Sequence, residues 1–328
     1  MKNTKNLIAI CVVAILSMSV INSSPVHSYL SMLSSSTALV HSSPNELYAK
    51  IEEAAKRYEA VPADAKIDRV WKAMPGYNGI KVDIEASYKK MKKDKRFNEK
   101  KLVFTQVAPS VHLKDLPPAP VYRGYPEKPM VAFIINVAWG NEYLPDMLAI
   151  LKKNNIHVSF FLEGRWVKEN PELARMIADG GHELGNHSYT HPNMTHLSAA
   201  ETRAQLQKTN DVIEATTGKK VKWFGPPAGT FRDETVKIAR SLDMGTVMWT
   251  VDTIDWQKPS PNTIIKRVTS KVGPGSLILM HPTDSTAKAL PALIDEMKAR
   301  QLRIGTVTRT LDEERIVQLQ GDKGTEEH

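Results

Sequence analysis

One cysteine occurs in 328 residues, Cys11, and it lies inside the N-terminal apolar run LIAICVVAILSMSVI. It stands too early, and in the wrong surroundings, for a lipidation box. Disulfides and cysteine nucleophiles are therefore excluded from the rest of the chain. The run itself is short. It follows Lys2 and Lys5, fits the apolar core of a secretory signal, and falls short of the roughly 20 residues that span a bilayer. Residues 1–22 thus read as a signal peptide or an N-terminal anchor, with membrane anchoring through residues 7–21 as the second option. VHS at Val26–Ser28 is only a weak cleavage candidate. The sequence also lacks a phosphate-binding loop, a dinucleotide fingerprint and a serine nucleophile elbow, which removes the common nucleotide-dependent and serine-hydrolase chemistries.

What is present begins with charge. Lys and Arg number 44 against 36 Asp and Glu, a formal +8 with pI near 9.3, and this favours anionic surroundings such as acidic lipid or polyanionic wall polymers. Part of the excess is local: Glu85 to Lys101 holds eight basic against three acidic residues. No RNA-type aromatic signature interleaves that stretch, so no nucleic-acid partner is expected and it reads as a solvated helical face. The 41% hydrophobic content suffices for a large core.

Residues 23–43 are Ser-rich and read as a tether. SPNE, Ser43 to Glu46, has the form of a capping box with proline at the first helical position and predicts an amphipathic helix to about Ala60. A small mixed α/β domain is expected over 44–115, then a proline-rich linker, LPPAPVYRGYPEKP, over 116–129. From 130 to 312 the pattern becomes regular, with a polar tail over 313–328. The apolar runs VAFIINV, HVSFFLEG, HELGNH, VKWFGPP, GTVMWTVD, SLILMHP and LRIGTV alternate with helices such as PELARMIADGG, capped by Asn170 and opened by Pro171. Ser198 and Glu201 form another capping box. Such alternation implies an α/β domain with a parallel sheet or barrel, whose chemistry gathers at the C-terminal strand ends. Asn136, His187, His191, Pro226, Asp255 and His281 all fall there.

Two histidines four residues apart are common, but HSYTH closes the longer string GHELGNHSYTHPNM. That string resembles the second motif of the polysaccharide deacetylases with NodB homology, carbohydrate esterase family 4. WTVDTIDW (Trp249 to Trp256) and SLILMHP (Ser276 to Pro282) are similar to the family's fourth and fifth motifs, in order, within about Val131 to Leu311. The resemblance implies a distorted (β/α)7 barrel and metal-dependent removal of acetyl groups from glycan. It implies His187 and His191 as ligands of Zn2+ (or Co2+), whose bound water is activated towards a pKa of about 7. By the same matching His281 is the acid, Asp255 its orienting partner and Trp256 a groove wall. The Ala228 backbone N–H becomes the oxyanion donor, beside Pro226 and Pro227.

Two motifs depart from the family. The first, TFDDG or FDxxWG, maps onto IINVAWG, so the base position holds Asn136 and the metal carboxylate position holds Val137. The third, normally RPPYG, is GPPAG, which puts Gly225 where an arginine would hold the base. The losses belong together, since a buried arginine facing a neutral amide would be an unpaired charge. Weakly bound metal is expected. The reading is a secreted or membrane-tethered cell-envelope protein acting on or binding N-acetylated wall glycan, peptidoglycan or a chitin-like N-acetylglucosamine polymer, with weak or no deacetylase turnover. The alternative is a fully non-catalytic glycan-binding or structural protein with relic histidines.

Overall fold

The computed structural model describes residues 44–317. The expected leader, tether and anchor, including Cys11 and the VHS site, lie outside the described residues, as does the tail from 318. Among the described residues no helix is long and apolar enough to cross a membrane. The first elements are α1 (Pro44–Tyr58), β1 (Lys66–Asp68), β2 (Lys72–Met74), β3 (Gly79–Val82), α2 (Ile84–Met91) and β4 (Phe104–Val107).

Two compact units form: 44–58 with 82–104, and 59–81 with 105–317. In the smaller one, α1 buries Leu47, Ile51 and Ala54, one face at helical spacing, with Met91 and Leu102. Asp83 caps α2 by accepting from the Ala86 N–H at 2.8 Å. Lys89, Lys90, Lys92, Lys93, Lys95 and Arg96 are all exposed, a solvated stretch.

The division corrects the expected boundaries at 115 and 129. Residues 59–81 and 105–115 belong to the larger unit, and 116–129 is no free-standing linker. The Val121 N–H donates to the Thr246 carbonyl at 2.9 Å, and Gly124 to Gly275 at 2.8 Å. Lys128 is 1% exposed, its ammonium donating to the Arg309 and Asp312 carbonyls and paired with the Asp312 carboxylate. Prolines rule out helix, but the residues between them keep N–H groups that can dock an extended chain on a sheet.

The larger unit continues with β5 (Met130–Val137), α3 (Leu144–Lys153), β6 (Ser159–Leu162), α4 (Gly164–Glu169), α5 (Pro171–Asp179), β7 (Glu183–Asn186), α6 (Ala199–Thr217), β8 (Trp223–Phe224), α7 (Asp233–Ser241), β9 (Gly245–Thr246), β10 (Val251–Asp252), α8 (Pro261–Thr269), β11 (Leu277–Met280), α9 (Asp284–Ala299), β12 (Arg303–Gly305) and α10 (Val307–Leu311). The strands pair in parallel in the order β10-β11-β5-β6-β7-β8-β9, a curled half-barrel, with β12 also on β5. β12 pairs Met130 to Ala132 and β6 pairs Ile134 to Val137, so they share one edge of β5 opposite β11. That shared edge is the distortion.

Seven expected strand runs become eight strands because GTVMWTVD splits. Val247 bridges to Val121, and the chain turns before the Thr250 N–H reaches the Leu277 carbonyl. Ser198 and Glu201 make the expected reciprocal cap of α6. Asn170 precedes α5 as expected, but its side chain bonds the Trp166 carbonyl and Asn141 instead of capping.

Side chains of β5 alternate between two layers. Val131, Phe133, Ile135 and Val137 pack with Leu144, Met147 and Leu290 of the helices. Ala132 and Ile134 pack inside the curl with Phe161, Leu277 and Leu279, and Asn136 continues that face.

Candidate functional site

Parallel register gathers the candidate residues at one rim. Met280 pairs with Ile135, so His281 follows β11 beside Asn136. Asn186 pairs with Phe224, so His187 follows β7 beside Gly225. Asn136 is 6% exposed, and its Oδ1 is buried without a hydrogen-bond partner.

His187 is fully enclosed. Its Nδ1–H donates to the Gly225 carbonyl at 2.7 Å, which leaves the Nε2 lone pair for another partner. Burial pushes its pKa down to about 3, with the charges of His191 and His281 adding to the effect. The His187 and His191 rings sit 5.0 Å apart between centroids. His191 is also lowered, by the protein around it and then by His281. Ser188 and His191 both take positive φ, 62° and 53°, so the HSYTH loop holds its rings in a strained turn.

His281 donates from Nδ1 to Asp255 Oδ1 at 2.8 Å, and its backbone N–H donates to Oδ2 at 2.6 Å. The Thr286 hydroxyl at the start of α9 also donates to Oδ2, at 2.6 Å. Burial alone would raise the Asp255 carboxyl, but bonding and charge from His281, then Thr286, hold it below the usual range. Asp252 accepts from the Ile254 N–H at 2.8 Å, a local contact at the end of β10.

Pro226 and Pro227 are buried, and Ala228 is exposed at φ 50°, ψ 22°. A Cβ on Gly225 would lie 2.9 Å from Phe161 Cδ1, so the phenyl ring fills the space an arginine stem would enter. His182 precedes β7, at the strand end opposite this rim. His182 accepts from the Val158 N–H through Nδ1, and His196 is exposed.

Sequence reasoning missed three participants. Thr286 carried no motif. Trp139 was noted only as part of a motif, yet its ring lies parallel to His281, 5.8 Å away at 9°. Glu163 pairs with Arg165 at 3.2 Å without hydrogen-bond alignment, is 2% exposed, and burial raises its carboxyl pKa.

Residues 123–247 match the polysaccharide deacetylase family profile. The crystal structure of wild-type BA3943 from Bacillus anthracis, a CE4 family pseudoenzyme, is 58% identical, covering 82% of this chain and 96% of that one at TM-score 0.79. The chain belongs to the polysaccharide deacetylase family. A BA3943 mutant with restored enzymatic activity has the same identity and TM-score, over 82% and 99% of the two chains. Protein YlxY of Bacillus subtilis (strain 168) is 54% identical over 88% of this chain and 91% of its own length. A peptidoglycan-N-acetylglucosamine deacetylase of Bacillus cereus is 34% identical over 51% and 62%.

The metal implied by the deacetylase family meets an incomplete donor set. His187 is prepared as a ligand, since its second nitrogen is fixed by a carbonyl. Among the described residues, however, no group of three or more His, Cys, Asp or Glu could hold a metal ion. Val137 is wholly buried in the helix-facing layer. Two neutral imidazoles do not make the three-ligand site of a catalytic zinc.

Proposed function

We propose that this deacetylase-family protein binds N-acetylated wall glycan, peptidoglycan or an N-acetylglucosamine polymer, at the rim and turns it over weakly or not at all. The observation that carries this is Asn136, an amide with an unpartnered buried oxygen beside an otherwise assembled His281–Asp255–Thr286 unit. An amide can accept a hydrogen bond from a substrate N–H or hydroxyl but cannot serve as a base near neutral pH. Relatives that deacetylate peptidoglycan support the ligand class, and a 58% identical pseudoenzyme supports the loss of turnover. The lysine-flanked apolar leader supports a location at the outer face of the cell envelope, secreted or tethered. Any zinc or cobalt taken up would be held weakly by His187 and His191.

The test pairs acetate release from N-acetylglucosamine oligomers and peptidoglycan, with added zinc or cobalt, with a glycan pull-down. Retention on glycan without release is expected. Turnover by the unmodified protein at an ordinary enzymatic rate, of order 1 s⁻¹ or more, would overturn the reading. The enclosure of His187 favours one alternative, a relic side chain kept for packing; no glycan retention and unfolding on His187→Ala would support it.

A further inference from the structure

The chain has six tryptophans, and only Trp139 and Trp256 are exposed, at 46% and 55%. Trp139 lies parallel to the His281 ring, and Trp256 follows in sequence the Asp255 that pairs with that histidine. Exposed apolar surface is costly in water, and an exposed indole beside a histidine–carboxylate pair marks a surface suited to being covered.

Trp139 is also held in place. The next residue, Gly140, has φ 82°, and a Cβ there would lie 2.1 Å from the Pro282 carbonyl oxygen. Only glycine fits that approach, so the chain leaving β5 presses its backbone against the turn that carries His281. The Gly140 carbonyl then accepts from the Tyr143 N–H at 3.1 Å, closing the turn before α3. His281 is in turn fixed by Asp255 through two hydrogen bonds. The indole is therefore a positioned plane and not a loose surface side chain.

We propose that Trp139 is a sugar-stacking residue, whose solvent-facing indole surface packs on the apolar C–H face of a pyranose ring at the rim beside His281. This rests on the glycan reading above and names the contact that gives it affinity. The indole runs parallel to the His281 ring with centroids 5.8 Å apart, and 46% of the residue is left exposed. A β-linked N-acetylhexosamine oligomer supplies the matching chemistry, flat apolar ring faces edged by polar groups. Trp139 supplies the buried apolar area. A rigid aromatic loses little freedom on ligand contact, which is why such side chains dominate binding energies.

The experiment titrates full-length protein with tetra-N-acetylchitotetraose by calorimetry and by tryptophan emission, comparing the unmodified chain with Trp139→Ala and Trp139→Phe. Trp139→Ala is expected to weaken binding about tenfold, while Trp139→Phe stays within about threefold because an aromatic face remains. Trp139→Phe should also lose part of the ligand-induced emission change, a signal a purely structural role would not move. Unfolding is monitored by far-ultraviolet circular dichroism, and the phenylalanine variant carries the test if alanine loosens the turn. Tight binding by the parent with equal affinity in Trp139→Ala and an unaltered emission change in Trp139→Phe overturns the stacking role and leaves the glycan reading standing. No binding by the parent, to this oligomer or to soluble peptidoglycan fragments, overturns both.

Discussion

Asn136→Asp replaces an amide by a carboxyl at nearly constant volume, at a position already buried and missing one hydrogen-bond partner. Two effects oppose each other. A general base contributes about 10²- to 10⁴-fold, and the new carboxylate restores that group at the strand end beside His281. Against this, burial with no arginine at Gly225 raises its pKa, by up to about 3 units for an enclosed carboxyl. Each unit costs about 1.4 kcal/mol of the charged form. We expect a gain of about 10- to 100-fold over the parent in acetate release from an N-acetylglucosamine oligomer with added zinc, below the full base contribution. The acidic limb of the pH–rate profile should lie nearer neutrality than a free aspartate would give. Stability should fall by about 1–3 kcal/mol, the cost of a poorly partnered buried group. The assay measures acetate, metal content and melting temperature on one preparation across pH 6 to 9. A folded, metal-loaded Asn136→Asp that stays at the parent rate throughout refutes the placement of Asn136 at the base position.

Gly225→Arg alone should lower stability by about 2–4 kcal/mol, because its Cβ crowds Phe161 and its guanidinium finds no anion; urea melts should show part of this recovered when combined with Asn136→Asp. Protein purified without chelator should carry clearly less than one equivalent of zinc by elemental analysis, and a full, EDTA-resistant equivalent would show that a third ligand exists. Burial holds His187 near 3 and His182 near 4, both below the ordinary 6.5, so the unfolded chain binds protons first. Stability should therefore be intact above about pH 6.5 and decline as pH falls towards 4, by about 2 kcal/mol at pH 5 from His187 alone; a melting temperature unchanged between pH 7 and 4.5 would contradict this enclosure. Replacing Lys89, Lys90, Lys92 and Lys93 by Glu should reduce cosedimentation with teichoic-acid-bearing walls at low salt, and unchanged cosedimentation would leave the stretch a solvated face only.

The repeating β/α pattern was legible because apolar runs and capped helices are local signals. Ser198, Glu201 and Pro171 sit where their residue types direct. The rim was legible for a related reason: strand ends in a parallel sheet converge, so residues far apart in sequence meet without any signal beyond the end of each run. The register placing His281 beside Asn136, and His187 beside Gly225, is of that kind. Hidden features were those set by a partner elsewhere in the chain. The prolines of 116–129 announced an extended path but not the sheet edge it docks on, where Val121 meets Thr246 and Met248. Thr286 reaches Asp255 only because α9 begins against that carboxylate.

Val137 shows why a motif position is not yet a site position. Letter by letter it stands where the family keeps a metal carboxylate, and residue spacing cannot say more. In the folded chain the strand is extended through Val137, so side chains 136 and 137 take opposite faces. Asn136 continues the inner face, while Val137 lies among Leu144, Met147 and the other helix-facing residues. Once that position became valine, the apolar layer on its own side could hold it, and burial there is worth about 1.5–3 kcal/mol. A carboxylate returned to 137 would first have to leave that layer, turning the strand end towards the rim. Asn136 carries no such barrier, since its side chain already occupies the inner face at almost the volume of the aspartate it would become. Recovery of activity therefore has a cheap first step at 136 and a costly second one at 137, and the two should be separable in that order.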